Sequence, residues 1–526
     1  MAELTAHTFI TGSTGAGKSN TIYKMLEQLN EGDVKFLVVE PAKGEYKDIT
    51  AFGGKSDVTV YGTNPKVKET EMLQINPFSF TKEVHVLEHL DRLVEIFNVC
   101  WPMYAAMPAI LKDAIERAYE KAGWDMEMSE NKYDDNLFPT FKDVYEQIRE
   151  VLIESEYSAD NKGDYTGALV TRLRSLTTGI NGLIFNADEI SMEELFDTNV
   201  IVDLSRIGST ETKSLIMGLL VLKLQEYRMG ASEANQHLKH VTVLEEAHNL
   251  LKRTSSEQSS ESGNLLGKSV EMLANSIAEM RTYGEGFIIA DQSPGLLDMS
   301  VIRNTNTKII LRLPDYEDRE LVGRAAGLND EQIVELAKLD NGVAAIMQSD
   351  WLEPVLCQVD KYEREYDWME EYEQSNKAND SLKKLSVEKE LLNCIMNNEL
   401  YRKNDRVDIK KLKDKVIHSK LETPIKCDFM EYICSESRNF RKPFQKLLFD
   451  FFHAESAIEN AKKCTELEKW LGKVIDSLSP SVQSFETEQI NLLLGLIVAE
   501  KVERDVRYEE VYNRFTELYI KGGKIV

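Results

Sequence analysis

Gly12-Ser13-Thr14-Gly15-Ala16-Gly17-Lys18-Ser19 spells G-x-x-x-x-G-K-S, and its flanks place it between a strand and a helix. Thr8-Phe9-Ile10-Thr11 is a short apolar run that feeds into the first glycine. Asn20 to Leu29 carries Ile22, Met25, Leu26 and Leu29 at helical spacing. Strand, glycine turn and helix together are the local fold of a phosphate-binding loop. Glycines let backbone N–H groups curl round a polyphosphate, and the helix N-terminus adds positive dipole. Lys18 is long enough to reach the β- and γ-phosphates, and Ser19 offers a hydroxyl to magnesium. The sequence therefore predicts an ATP and Mg²⁺ site drawn from Ser13, Thr14, Gly15, Ala16, Gly17, Lys18, Ser19 and Asn20.

Around this loop the pattern is that of a doubly wound α/β domain over residues 1–360. Short β-branched runs recur with helical stretches between them: Lys35–Val39, Val58–Tyr61, Val200–Leu204, Val241–Leu244, Gly286–Ala290, Thr307–Leu311 and Val343–Met347. Strands separated by helices predict a parallel sheet with right-handed crossovers. From about 84 to 194 the pattern turns helical, with Leu87, Leu90, Leu93, Val94 and Phe97 on one stripe, and is expected to be an all-helical insertion. Residues 361–526 read as a separate, mostly helical domain. At 526 residues the chain is too long for one ordinary core. A polar run within Arg253–Asn264 is expected to be a loop.

Charge narrows the class of partner. The net charge is −26, and residues 361–526 are near balance with 29 Lys and Arg against 31 Asp and Glu. Almost all of the excess falls on residues 1–360, which leaves no broad basic face for wrapping nucleic acid. A channel lined by a few basic loops stays open. One basic stretch, from Arg402 through Lys410, Lys411, Lys413 and Lys420 to Lys426, reads either as a solvated helix face or as a contact for phosphates or a partner. Six scattered cysteines without a C-x-x-C pair suit reduced thiols. No apolar run is long enough to span a bilayer and no leader is visible, so a cytoplasmic location without membrane contact is expected.

A P-loop enzyme needs carboxylates at the end of a second strand. Val241-Thr242-Val243-Leu244-Glu245-Glu246-Ala247-His248 supplies two. Glu245 is placed to act on magnesium and Glu246 to orient the attacking water. A third strand, Phe287-Ile288-Ile289-Ala290, runs into Asp291-Gln292-Ser293-Pro294, where the Gln292 amide could bond both a γ-phosphate and that water.

Taken together, the P-loop segment, Glu40-Pro41-Ala42-Lys43-Gly44-Glu45-Tyr46, Glu245-Glu246-Ala247-His248, Arg281-Thr282-Tyr283-Gly284 and Asp291-Gln292-Ser293-Pro294 resemble the HerA branch of the HerA–FtsK ATPases, in the family's order. The resemblance covers roughly residues 5–360. It implies a RecA-like domain that forms hexameric homo-oligomers and translocates on double-stranded DNA. Such proteins often work with a nuclease or a phage-defence effector. It implies that Lys18 and Ser19 bind phosphate and metal, that Glu246 is catalytic, that Gln292 is a sensor and that Glu40 lies beside the nucleotide. Arg281 matches an arginine that touches the phosphates, in its own subunit or across the ring. An N-terminal β-barrel usually precedes the P-loop, and here the loop begins at residue 12, so the chain reads as a fragment or a barrel-less variant. Two other readings stand beside this one: an ATP-binding scaffold for an effector, and a conjugation-type DNA pump.

Overall fold

The computed structural model describes residues 2–49, 58–67, 70–101, 103–231, 236–254, 265–363, 409–435, 441–462, 464, 466–478, 482 and 487–520. Ten strands among them build one sheet, in the order β12-β11-β10-β1-β9-β8-β2-β7-β3-β4. These are β1 (Thr8–Thr11), β2 (Lys35–Glu40), β3 (Val58–Gly62), β4 (Glu71–Met72), β7 (Asn199–Asp203), β8 (His240–Leu244), β9 (Glu285–Asp291), β10 (Thr307–Ile310), β11 (Val343–Gln348) and β12 (Val355–Gln358). The P-loop strand β1 is central, parallel to β9 on one side and to β10 on the other. Strands β2, β7, β8 and β9 are wholly buried apart from a half-buried Lys35, as expected when helices cover both faces of a parallel sheet.

The sheet is mostly parallel, with one departure from expectation. Strand β11 runs antiparallel to both β10 and β12. Only residues 349–354 join β11 to β12, too few for a crossover. Strand β12 is exposed along its whole length, so it lacks the buried apolar signature that marked the others.

Helix α1 spans Lys18–Glu31 and buries Ile22, Leu26 and Leu29 against the sheet, with Met25 partly covered. Its N-cap is Gly17 at φ 110°, backbone that a side chain rarely adopts. A Cβ there would also lie 3.3 Å from the Gly342 Cα, so the loop can close only with glycine.

The chain forms two compact units: residues 1–117 with 140–383, and 118–139 with 384–526. The stretch expected to be an all-helical insertion is therefore divided and is not all helical. It includes helices Val86–Cys100 and Phe141–Glu154, but also a small antiparallel hairpin, β5 (Trp124–Asp125) and β6 (Glu130–Asn131). On the predicted stripe Leu90, Leu93, Val94 and Phe97 are buried, while Leu87 near the helix start is exposed.

The second unit gathers helices Ile409–Ile417, Thr423–Cys434, Arg441–Phe451, Ala454–Ala461, Leu467–Ser477, Thr487–Arg504 and Glu509–Ile520 around Phe429, Leu447, Leu471 and Leu494. The hairpin segment joins it through a fully buried Leu137, a Tyr133 Oη to Glu431 bond of 2.7 Å and a Lys413–Asp134 pair of 2.7 Å. The basic stretch makes no single face here. Lys426 is buried and donates to the carbonyls of Ile417 and Ser419, while Lys410, Lys411 and Lys420 are exposed. Arg402, Lys403 and Arg406 lie outside the described residues, as do residues 255–264 of the polar loop.

Where β8 and β9 begin, a buried carboxylate meets a buried guanidinium, an imidazole and a hydroxyl. Glu285 accepts from His240 Nδ1 at 2.7 Å, from Arg228 Nε at 3.2 Å and from the Thr242 hydroxyl at 2.9 Å. Burial works to raise the Glu285 carboxyl, but His240, Arg228 and Thr242 outweigh it and hold it below the usual carboxylate range. Its stabilisation is therefore complete above the unfolded value near 4.5 and is lost as pH falls through the lower folded value. Glu285→Ala strands the buried Arg228 guanidinium and is expected to cost about 3–5 kcal/mol. Thermal denaturation of both proteins at pH 7 and below pH 4 checks this: the gap is wide at pH 7 and narrows in acid.

Candidate functional site

Four parallel strands deliver their last residues to one edge of the sheet. There β1 gives way to the glycine loop, β2 ends in Glu40, β8 is followed by Glu245 and Glu246, and β9 ends in Asp291 before Gln292. Register makes them neighbours: Thr11 pairs with Asp291, and Val39 with Leu244. Ligands of open α/β sheets bind at this carboxyl edge.

Lys18 is 6% exposed and sits among carboxylates. Its Nζ donates to Glu245 Oε2 at 2.5 Å and to Glu246 Oε1 at 3.4 Å. Burial opposes the ammonium charge, yet Glu245 and Glu246 outweigh it and hold the lysine above its usual range. Gln292 closes the group: its Nε2 donates to Glu246 Oε1, and its Oε1 accepts from the Thr14 hydroxyl at 2.7 Å. One hydrogen-bonded chain thus runs Thr14–Gln292–Glu246–Lys18–Glu245. Glu246 adopts left-handed backbone, φ 44° and ψ 51°, and its carbonyl is held by Asn249 N–H and Nδ2. A non-glycine residue in that region stores strain, which is common where a side chain must be aimed.

The loop itself is tied down outside the ligand space. The N–H and hydroxyl of Ser13 both donate to the Arg312 carbonyl, at 2.9 and 3.1 Å. Asn20 faces away from the loop crown, its Nδ2 donating to the Asp360 carbonyl at 2.9 Å and its Oδ1 accepting from Tyr362 N–H at 2.8 Å. Gly15 is exposed, and a Cβ placed on it meets nothing within 4 Å. A glycine crown open above a lysine, the Ser19 hydroxyl and two carboxylates is a donor set that fits a magnesium-bound polyphosphate.

Glu40 is 3% exposed and accepts the N–H groups of Glu45 and Tyr46, at 2.8 and 3.1 Å. Gly44 permits that tight return: its φ is +69°, and a Cβ would lie 2.9 Å from Ser205 Oγ. Burial pushes the Glu40 carboxyl up to about 7, with Asp203 and Glu245 adding to it and the two N–H bonds opposing.

Two residues inside the quoted motifs had no role from sequence. Asp291 is fully buried and accepts both the N–H and Nδ1 of His248, each at 2.9 Å. That bond, with burial opposing, holds His248 above its usual range. A side-chain position four residues beyond a strand end gives no signal by spacing alone. Tyr46, whose hydroxyl donates to Glu245 Oε1 at 2.6 Å, was likewise silent.

Arg281 does not join this site. It is exposed and precedes β9 by four residues, beside His7 at the edge where the parallel strands begin. The seven residues of β9 separate that edge from Gln292, a span of about 20 Å. Contact with the phosphates of its own loop, one of the two roles the resemblance allowed, is closed by this geometry.

Residues 2–224 match the family model described as "Helicase HerA, central domain". The chain carries a P-loop and is similar to the HerA helicases over this stretch. It is 24% identical over 365 residues to the DNA double-strand break repair helicase HerA of Sulfurisphaera tokodaii, covering 68% of this chain and 66% of that protein. The Sulfolobus acidocaldarius protein of the same name is 25% identical over the same length, with the same coverage. The chain thus spans just under two thirds of the length of these relatives. Its fold is similar to that of VirB4 of Thermoanaerobacter pseudethanolicus, with a TM-score of 0.51 and 15% identity over 68% of this chain and 89% of that one. No helix among the described residues is long and apolar enough to cross a membrane.

Glu40 gives this site a pH signature. Its raised carboxyl contributes stability that is complete below the unfolded value near 4.5 and is lost as pH rises through about 7. Glu40→Gln keeps an acceptor for the Glu45 and Tyr46 N–H groups and cannot ionise. The variant is expected to match wild type at pH 4 and to melt several degrees higher at pH 8, read by calorimetry across that range.

Proposed function

We propose that this chain hydrolyses ATP with magnesium, assembles as a ring of copies, and uses the energy to move along double-stranded DNA in the cytoplasm. The observation that carries the reading is the bonded chain from Thr14 through Gln292 and Glu246 to Lys18 and Glu245 at one sheet edge. Lys18, Ser19 and the loop N–H groups hold the phosphates, and Glu245 serves the metal's water shell. Glu246 orients the water and takes its proton as ADP and phosphate separate. Gln292, bonded to both the loop and Glu246, reports whether a γ-phosphate is present. Residues 1–360 act as the motor, apart from the hairpin segment that packs with the helical unit.

Ring assembly is favoured by the placement of Arg281. It is an exposed cation at the sheet edge opposite its own phosphate loop, so a neighbouring copy is the route by which it reaches a phosphate. Catalysis of phosphoryl transfer gains much from a cation supplied in that way. The acidic exterior favours DNA inside such a ring over DNA wrapped outside it. A nuclease or a phage-defence effector is the partner class that the resemblance implies, and the relatives named for DNA double-strand break repair support a role on DNA.

Lys18→Ala is expected to abolish binding of a fluorescent ATP analogue without unfolding the protein. Glu246→Gln keeps the affinity and lowers turnover by about 100-fold or more, because the amide cannot take the proton. Arg281→Ala also loses turnover. Mixing Arg281→Ala with Glu246→Gln subunits restores hydrolysis, since some sites then pair an intact Glu246 with a neighbour's intact Arg281. Absence of rescue in mixed assemblies, or normal hydrolysis by Glu246→Gln, defeats the reading.

A further inference from the structure

Glu40 and Glu245 end adjacent parallel strands, with the preceding residues Val39 and Leu244 in register. Two carboxyl groups so placed in a buried edge need donors between them. Lys18 is one, at 2.5 Å from Glu245 Oε2. The other donors come from the turn after β2, and Tyr46 supplies two of them. Its N–H bonds Glu40 Oε2 at 3.1 Å, and its hydroxyl bonds Glu245 Oε1 at 2.6 Å. The ring is 1% exposed, packs edge-on against Tyr23 of α1 at 5.0 Å, and belongs to the core beneath the sheet. Tyr46 is thereby fixed by packing, by main chain and by helix α1 before any ligand arrives. Burial, then Glu245, hold its phenol well above the usual range, so it remains a donor at every working pH.

The two oxygens of Glu245 therefore have different kinds of partner. The Lys18 ammonium has three N–H donors, and in this state they serve Glu245 and Glu246. A bound polyphosphate draws on the same donors. The Tyr46 hydroxyl lies on the far side of the carboxylate and has no second acceptor among the described residues. We propose that Tyr46 is a positioning residue, whose hydroxyl keeps Glu245 aimed at the metal's water shell when Lys18 turns to the phosphates. The assignment rests on the ATPase reading above and deepens it: the magnesium response of this site is set from the β2 turn. Tyr46 lines the pocket beside Lys18 and Ser19. It acts through one oxygen of Glu245, by removing the carboxylate's freedom to rotate.

Tyr46→Phe tests this because the ring, and hence the packing, is kept. The readout is binding of a fluorescent ATP analogue, titrated with magnesium from an EDTA baseline, beside a melting curve. The affinity in EDTA is expected to stay within about twofold of wild type, while the magnesium concentration at half-effect rises about tenfold. In the Glu245→Gln background the same substitution adds nothing further, because the group it acts through is gone. A tyrosine with a purely structural role lowers the melting temperature and leaves the magnesium midpoint alone. That result, or additive effects in the double variant, overturns the proposal. Should Tyr46→Phe fail to fold, Glu245→Asp carries the test: it withdraws the carboxylate from the hydroxyl and leaves Tyr46 in the core. An unshifted midpoint in that variant overturns the proposal equally. Wild type that binds the analogue with a normal magnesium response but never hydrolyses ATP defeats the ATPase reading and leaves the Tyr46 assignment standing. Wild type that hydrolyses ATP, with an unshifted Tyr46→Phe, defeats the assignment alone.

Discussion

A buried ammonium is the constraint on which this architecture depends. Lys18 cannot sit 6% exposed at the start of a helix without anions beside it, and its own strand and helix supply none. The carboxylates must arrive from elsewhere in the sheet. They come from the end of β8, which is brought within reach because β9 alone separates it from β1. Parallel order makes this possible, since every strand then ends at the same edge. The helical stretches between the strands are what parallel pairing requires, and they account for much of the length of the first unit.

The same polarity has a consequence at the other edge. A residue just before β9 and a residue just after it are separated by the full strand, however close they stand in sequence. Arg281 and Gln292 are eleven positions apart and face opposite ends of the domain. A motif order along the chain carries no such information. In a parallel sheet, strand starts and strand ends alternate along the sequence and segregate in space. An arginine at the starting edge can complete a phosphate site only if another molecule's finishing edge comes to it.

Much of the first unit was legible because its determinants are local. The eight strands read from apolar runs all form, and the glycine loop, Glu40, Glu245, Glu246 and Gln292 all reach one edge. What escaped has long-range causes. Strand β12 is paired on one side and exposed along its length, so burial left no trace in its composition. The hairpin at 118–139 reads as part of a helical insertion, and its membership in the second unit is decided by Leu137 and Tyr133 meeting residues some 300 positions away. Asn20 looked like a ligand residue by adjacency to Ser19. Its amide instead bonds the segment after β12, a pairing across about 340 residues. Tyr46 carried no signal because a tyrosine in a turn has many uses, and only the placement of β8 beside β2 gives its hydroxyl a carboxylate.

Strands β8 and β9 are bracketed by two buried charge clusters that differ in one respect, and the difference separates structure from chemistry. At the starting edge Glu285 is wholly enclosed, and its Arg228 partner is fixed by further bonds. Arg228 also donates to Asp197 at 2.9 Å and to the Phe196 carbonyl at 2.6 Å. At the finishing edge Lys18 is charged and buried, but one of its carboxylates stands on strained backbone and the glycine crown above is open. The Gln292 amide beside it bonds one acidic residue and one loop hydroxyl, neither of them locked in the core. An arrangement of that kind is held together by charges that a polyphosphate and a divalent cation would satisfy better. Its self-neutralised state is stable enough to fold and loose enough to exchange partners, which is the physical requirement for a site that must bind, react and release in turn.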